Sequence, residues 1–173
     1  MVIQDQNNTW AQGHLEPWWG LLHRKLPYAN EPFNDPESLF EWRNLGYTQT
    51  RFTGDMYDMR QAEPEWLSKF KDFFPFQHLS WSVYRMQPGD VLPEHADTYA
   101  RFKSLYNLSD TKNVVRAVVF LEDWQSGHYL EMNKTPIVKW RAGDWVCWRD
   151  DFLHLAANVG KTDRYTLQLT GLS

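Results

Sequence analysis

The chain holds a single cysteine, Cys147, so no disulfide can form within it and nothing in its composition calls for an oxidising compartment. In the stretch Trp145-Val146-Cys147-Trp148 its expected role is a small buried hydrophobe on a strand, not a reactive thiol. Long apolar runs are missing as well: none reaches 18 residues, and the start Met1-Val2-Ile3-Gln4-Asp5-Gln6 has no basic stretch before an apolar block. Neither membrane insertion nor secretion is therefore expected, and a cytoplasmic location follows by default. Positive charge is short too, since 18 Lys and Arg face 22 Asp and Glu for a net charge of −4. No global field draws such a chain to nucleic acid or anionic lipid, although Arg101, Lys103 and Lys112 leave a local basic strip open. Internal repeats and low-complexity tracts do not occur.

Aromatic residues, by contrast, are plentiful: ten Trp, ten Phe and eight Tyr in 173 residues. A disordered chain does not carry such a load. The length suits one complete core and is too short for two, so a single domain over 1–173 is expected. Residues 1–78 are expected to form a mainly helical support and 79–173 a strand-rich core.

Punctuation and periodicity carry that division. Asp35-Pro36-Glu37-Ser38 supplies a cap and a first-turn proline ahead of Leu39, Phe40, Trp42 and Leu45, and Gly46 closes the helix. From Glu63 to Phe74, the residues Trp66, Leu67, Phe70, Phe73 and Phe74 recur on one helical face and stop before Pro75. Residues 14–26 suggest a further helix. Strands are expected at 79–87, 114–122, 128–132, 136–140, 144–148, 152–159 and 164–171, separated by turns such as Pro88-Gly89-Asp90 and Gly143-Asp144. Because no helices interleave them, the pattern points to a mainly β jelly roll, a cupin-like barrel with N-terminal α-helices flanking it.

Chemistry concentrates in Pro93-Glu94-His95-Ala96-Asp97. In extended chain, residues two apart share a face, so His95 and Asp97 can reach one point. With His154 as a distant third ligand they form a two-His, one-carboxylate face that leaves positions on Fe(II) for a chelating cosubstrate and dioxygen. Ten residues beyond His154 stands Arg164, whose planar fork binds a carboxylate through two hydrogen bonds. A dicarboxylic keto acid needs such an anchor for its far end, and Thr166, two positions along, adds a hydroxyl on the same face. The plainer reading of Arg164 is a surface arginine paired with Asp163 or Glu131.

The set Tyr84, His95-x-Asp97, Arg116, Gly143-Asp144, His154 and Arg164-x-Thr166 resembles the double-stranded β-helix core of the Fe(II)/2-oxoglutarate dioxygenase superfamily across roughly residues 79–171. Within it, His95-x-Asp97 is similar to prolyl 4-hydroxylases, and Asp150-Asp151-Phe152-x-His154-x-x-x-Asn158 with Arg164 is similar to aspartyl/asparaginyl β-hydroxylases, which characteristically lack the carboxylate ligand. The resemblance implies Fe(II) held by His95, Asp97 and His154, with 2-oxoglutarate and O2 as cosubstrates. It also implies hydroxylation of a C–H bond with release of succinate and CO2. A peptidyl residue, an amino acid or another small molecule is the substrate expected.

Other residues carry two readings each. Tyr84 and Arg116 point into the barrel towards cosubstrate or substrate, or else serve packing and a rim salt bridge. Residues 99–107 form a lid that keeps water from the site, or a surface connection. Asp150 and Asp151 orient a ligand imidazole, or cap a turn. His128 competes for the metal, or is a hydrogen-bonded, partly exposed histidine; the second role is also expected for His14, His23 and His78. Two rival classes share the barrel: a cupin-type metalloenzyme that does not use 2-oxoglutarate, and a non-catalytic jelly-roll binding module.

Overall fold

The computed structural model describes residues 10–48, 51–149 and 152–173. Asp150 and Asp151, singled out above, lie outside these residues. Its framework is eight strands in the second half of the chain: β4 (Gln77–Met86), β5 (Val91–His95), β6 (Val114–Phe120), β7 (His128–Met132), β8 (Thr135–Ile137), β9 (Asp144–Arg149), β10 (His154–Asn158) and β11 (Arg164–Leu172). They divide between two antiparallel sheets, in the order β4-β11-β6-β9 within the larger and β5-β10-β7-β8 in the smaller. The chain thus crosses repeatedly from one sheet to the other, and residues far apart in sequence meet between them.

Three strands from the first half extend the larger sheet to seven: β1 (Trp10–His14) beside β9, β3 (Thr53–Asp58) beside β4, and β2 (Ala29–Pro32) outside β3. The first half thus contributes three strands to the larger sheet beside its helices α1 and α2 and two 3-10 turns, where a mainly helical support was expected. Thr53-Gly54-Asp55-Met56-Tyr57-Asp58 lacks an apolar alternation of its own; it is a strand because the edge of β4 offers it a hydrogen-bonding partner. Over 14–26 the expected helix is replaced by the end of β1 at His14 and a 3-10 turn at Leu22–Lys25, and the strand expected at 136–140 shortens to β8.

Helix α1 (Pro36–Asn44) starts as its residues dictate: the Asp35 carboxylate accepts from the Ser38 backbone N–H at 3.0 Å and Pro36 occupies the first turn. Its expected apolar face is not buried as a unit. Trp42 is 1% exposed, whereas Phe40 and Leu45 are 71% and 69% exposed, so one large ring anchors the helix. At 63–74 a 3-10 turn (Glu65–Leu67) runs into α2 (Ser68–Phe73); Trp66, Leu67, Phe70 and Phe74 are buried and Phe73 is exposed. Helix α3 (Ala100–Tyr106) occupies the segment expected to be a lid or a connection.

The larger sheet is covered on both faces. Trp19, Trp66, Leu67, Phe70 and Phe74 pack on one side against Val83, Val115, Ala117, Val119, Cys147, Leu167 and Leu169. Val118, Phe120, Val146 and Trp148 meet Leu130, Met132 and Ala156 of the smaller sheet on the other. Strand β6 is therefore apolar almost throughout, as strands buried on both faces are. Strand β11 departs from that rule. Tyr165, Leu167 and Leu169 join the outer core, while Arg164, Thr166, Gln168 and Thr170 line a cavity between the sheets.

Candidate metal centre and its cavity

The Cα atoms of His95 and His154 are cross-strand partners in the β5–β10 ladder, and a register shift lies just beyond them. Their imidazoles are 4.4 Å apart between ring centroids. Asp97 follows two residues after His95, and one donor atom from each of the three lies within 4.8 Å of the others. A divalent cation bonding N and O donors at about 2.0–2.2 Å bridges atoms up to about 4.4 Å apart, so the cluster needs to draw together only slightly.

Hydrogen bonds set which nitrogens face inward. His95 Nδ1 lies 2.7 Å from the Pro93 carbonyl and His154 Nδ1 lies 2.9 Å from the Phe152 carbonyl, each two residues upstream. A carbonyl only accepts, so both Nδ1 atoms carry the proton and both Nε2 atoms present a lone pair. Rings hold the imidazoles in place: Phe33 and Trp42 stand edge-on to His95 at 5.4 and 5.7 Å, and Trp148 lies 4.9 Å from His154. Burial, reinforced by His154, brings the His95 pKa down to about 4, so its lone pair is free at neutral pH.

Asp97 is held differently. Its Oδ2 is 3.3 Å from Arg116 Nε and 3.8 Å from His154 Nε2, yet it makes no hydrogen bond. Burial acts to raise its pKa, but Arg116, the two imidazoles and a hydrogen bond from Tyr99 outweigh it and hold the carboxyl below its usual range. An ionised carboxylate with an uncommitted oxygen, facing two imidazole lone pairs, is a donor set suited to a divalent metal.

Arg164 lies in the same cavity, of about 360 Å3. It is 4% exposed, and neither Asp163 nor Glu131 pairs with it. Among the described residues its Nη1 reaches only the Met86 sulfur at 2.9 Å and its Nε has no hydrogen-bond partner, and its charge lies over the rings of Trp140 and Phe120 at 5.5 and 5.9 Å. Burial pulls its pKa down to about 10, which leaves it cationic at neutral pH. A buried cation without an anion is costly, which makes it a receptor for one. Asn158, fully buried, donates to the Met86 and Thr162 carbonyls and accepts from Gly160, pinning the turn that delivers Arg164 to its register opposite Met86.

Tyr84 and Thr166 are register partners and both line the cavity beside Arg164. The Tyr84 ring passes over Gly54, where an added Cβ would lie 2.1 Å from the hydroxyl, and burial raises its pKa. Arg116 also lines the cavity, but it pairs with Asp97, donates to Gln168 Oε1 at 3.1 Å and lies 5.1 Å from the Tyr99 ring. Arg164, six positions along β11 from the register partner of Arg116, takes the other end of the cavity. His128 is buried and not partly exposed; its Nε2 is 3.0 Å from the Thr162 carbonyl, away from the cluster. His23 is likewise fully buried, against Glu122 at 2.6 Å.

No family profile and no curated protein matches the chain. Solved structures do. A Pseudomonas putida prolyl-4-hydroxylase is similar over 96% of this chain and 94% of its own, at 15% identity and a TM-score of 0.59. The core is a double-stranded β-helix. A predicted oxalate decarboxylase from Thermotoga maritima aligns over 87% of this chain and 96% of its own at 10% identity and TM-score 0.49. A Bacteroides fragilis cupin protein does so over 60% and 73%, at 13% and 0.40.

The double-stranded β-helix explains why sequence reasoning missed part of the site. Gln168 and Thr170 continue the period-two face of Arg164 and Thr166, a signal present in the sequence but stopped short at Thr166. Tyr99, Trp42 and Trp148 had no such signal, because their contacts with Arg116, His95 and His154 come from separate elements.

Proposed function

We propose that the protein is a non-haem Fe(II)- and 2-oxoglutarate-dependent dioxygenase that oxidises a C–H bond of an amino-acid, peptidyl or small-molecule substrate. The observation that carries this reading is Arg164: a buried guanidinium with no anionic partner among the described residues, in one cavity with a two-His, one-carboxylate cluster. A monocarboxylate held at the metal would leave Arg164 unsatisfied. A dicarboxylate that chelates at one end neutralises it at the other.

His95, Asp97 and His154 would hold Fe(II), which when bound supplies the activation of dioxygen that no side chain provides. The protein's own residues do the rest. Backbone carbonyls of Pro93 and Phe152 keep the Nε2 atoms directed at the cation, and Arg164 with Tyr84 and Thr166 receives the far carboxylate. Met86, Phe120 and Trp140 exclude water around that end, so the carboxylate exchanges its hydration for fixed donors. Helix α3 lines the cavity with Arg101, Phe102 and Leu105.

Anaerobic titration with Fe(II) and 2-oxoglutarate tests the proposal. The expected result is a weak visible metal-to-ligand charge-transfer band that requires both components, together with succinate release on admission of oxygen. Metal binding without any dependence on 2-oxoglutarate would point instead to a cupin-type metalloenzyme of another kind.

A further inference from the structure

Beyond the deep anion receptor, the cavity has a second group of donors. Arg116 Nη1 donates to Gln168 Oε1, which leaves the Gln168 amide N–H groups without a hydrogen-bond partner among the described residues. Ser82 is the register partner of Gln168, Ser80 that of Thr170, and Thr170 that of Arg116. All five line the cavity, and the three hydroxyls make no side-chain hydrogen bond among the described residues. This wall offers a guanidinium, an amide donor pair and three hydroxyls.

The charges point the same way. Of the ionised groups lining the cavity, Glu31 and Asp58 are matched by Arg60 and Arg101, while Asp35 stays ionised at the first turn of α1, where it accepts from the Ser38 N–H and hydroxyl and is set against the positive end of the helix. Asp97, Arg116 and Arg164 remain. With a divalent metal and a doubly ionised 2-oxoglutarate added, these five charges sum to one positive, since −1 +1 +1 +2 −2 is +1. The surplus belongs to the metal end and the β6–β11 wall, since Asp35 is engaged with the first turn of α1, and a buried wall does not tolerate an unpaired cation well. Arg116 is where it resides, because Arg164 is satisfied by the cosubstrate and Asp97 is drawn to the metal.

We infer that the substrate is a monoanion whose free carboxylate is received by Arg116 and Gln168, with Ser82, Ser80 and Thr170 as flanking donors. An N-acyl amino acid or the C-terminal residue of a chain has this group without an α-ammonium beside it, whereas a free amino acid is a zwitterion and an internal peptidyl residue lacks the carboxylate. The inference rests on the dioxygenase reading above. It adds a specificity-determining site at Arg116 and Gln168, opposite in the cavity to Arg164.

The test uses the full chain with Fe(II) and 2-oxoglutarate under anaerobic conditions and follows the charge-transfer band. The N-acetyl derivatives of the common amino acids are titrated, each beside its own primary amide. Binding of an acid is expected to shift the band, with the matching amide weaker by roughly 10–100-fold, the value of a charge-assisted hydrogen bond. Gln168→Glu, which places a carboxylate beside Arg116, is expected to weaken acids by a similar factor and to narrow their advantage over amides. Amides that bind as well as acids, or a band that no acid shifts, would overturn the inference. A band that never forms would instead overturn the dioxygenase reading, and the two failures are thereby distinct.

Discussion

His95 and His154 face each other across the β5–β10 ladder with ring centroids 4.4 Å apart, although 58 residues of chain separate them. Their protonated Nδ1 atoms are tied to the backbone on either side, so the two lone pairs converge before any ion arrives. Such preorganisation makes metal affinity depend steeply on each ligand. His95→Ala and Asp97→Ala are expected to lower Fe(II) or Mn(II) affinity by more than the roughly 10–100-fold that accompanies loss of an outer-shell partner. Calorimetric titration reads this directly, and metal-dependent succinate formation should vanish in both variants.

Arg164 is expected to separate cosubstrate binding from metal binding. Arg164→Lys replaces the planar fork with a point charge and should weaken 2-oxoglutarate far more than the metal. Arg164→Met removes a buried cation that has no anion among the described residues, so the variant should unfold no more easily than the parent in urea without ligand. With metal present, 2-oxoglutarate at about 100 times its Kd should raise the parent's Tm by roughly 5–10 °C and leave the Met variant's unmoved.

Trp42 joins stability to the site. Its ring lies against Phe33, Phe52 and His95, and its indole N–H donates to the Glu94 carbonyl at 3.3 Å. Trp42→Ala should cost about 3–5 kcal/mol in chemical denaturation. It should also weaken metal binding, because the His95 ring loses the wall that orients it. Phe40→Ala, on the exposed side of the same helix, should change neither by more than about 0.5 kcal/mol.

Acid stability should report Glu122. Burial alone would raise its pKa, but hydrogen bonds from Arg24 and His23 bring it down to about 2. A carboxylate whose folded pKa lies below its unfolded value near 4.5 adds stability that is complete above pH 4.5 and lost as the pH falls towards 2. Its contribution at neutral pH is of the order of 2 kcal/mol after solvent screening. Glu122→Gln should lose that amount at pH 7 and show a flatter decline between pH 4.5 and 2 in urea melts.

By itself, the sequence determined the chemistry available and much of its local framing. The cap at Asp35, the turns, the strands of the second half and the pairing of His95 with Asp97 on one extended segment are nearest-neighbour properties, set by backbone sterics and side-chain periodicity. The alternation of Arg164, Thr166, Gln168 and Thr170 was equally local, although its meaning was not, because polar residues on one strand face ordinarily point to water. Only the tertiary structure turned that face inward, by packing Tyr165, Leu167 and Leu169 against the helices and leaving the polar side to the space between two sheets. It alone made strands of residues 10–14, 29–32 and 53–58, brought Trp42 and Trp148 to the imidazoles, and gave Arg116 rather than Arg164 to Asp97. Such contacts join residues dozens of positions apart. Cross-strand register and burial select them, and neither is encoded in any short window of chain.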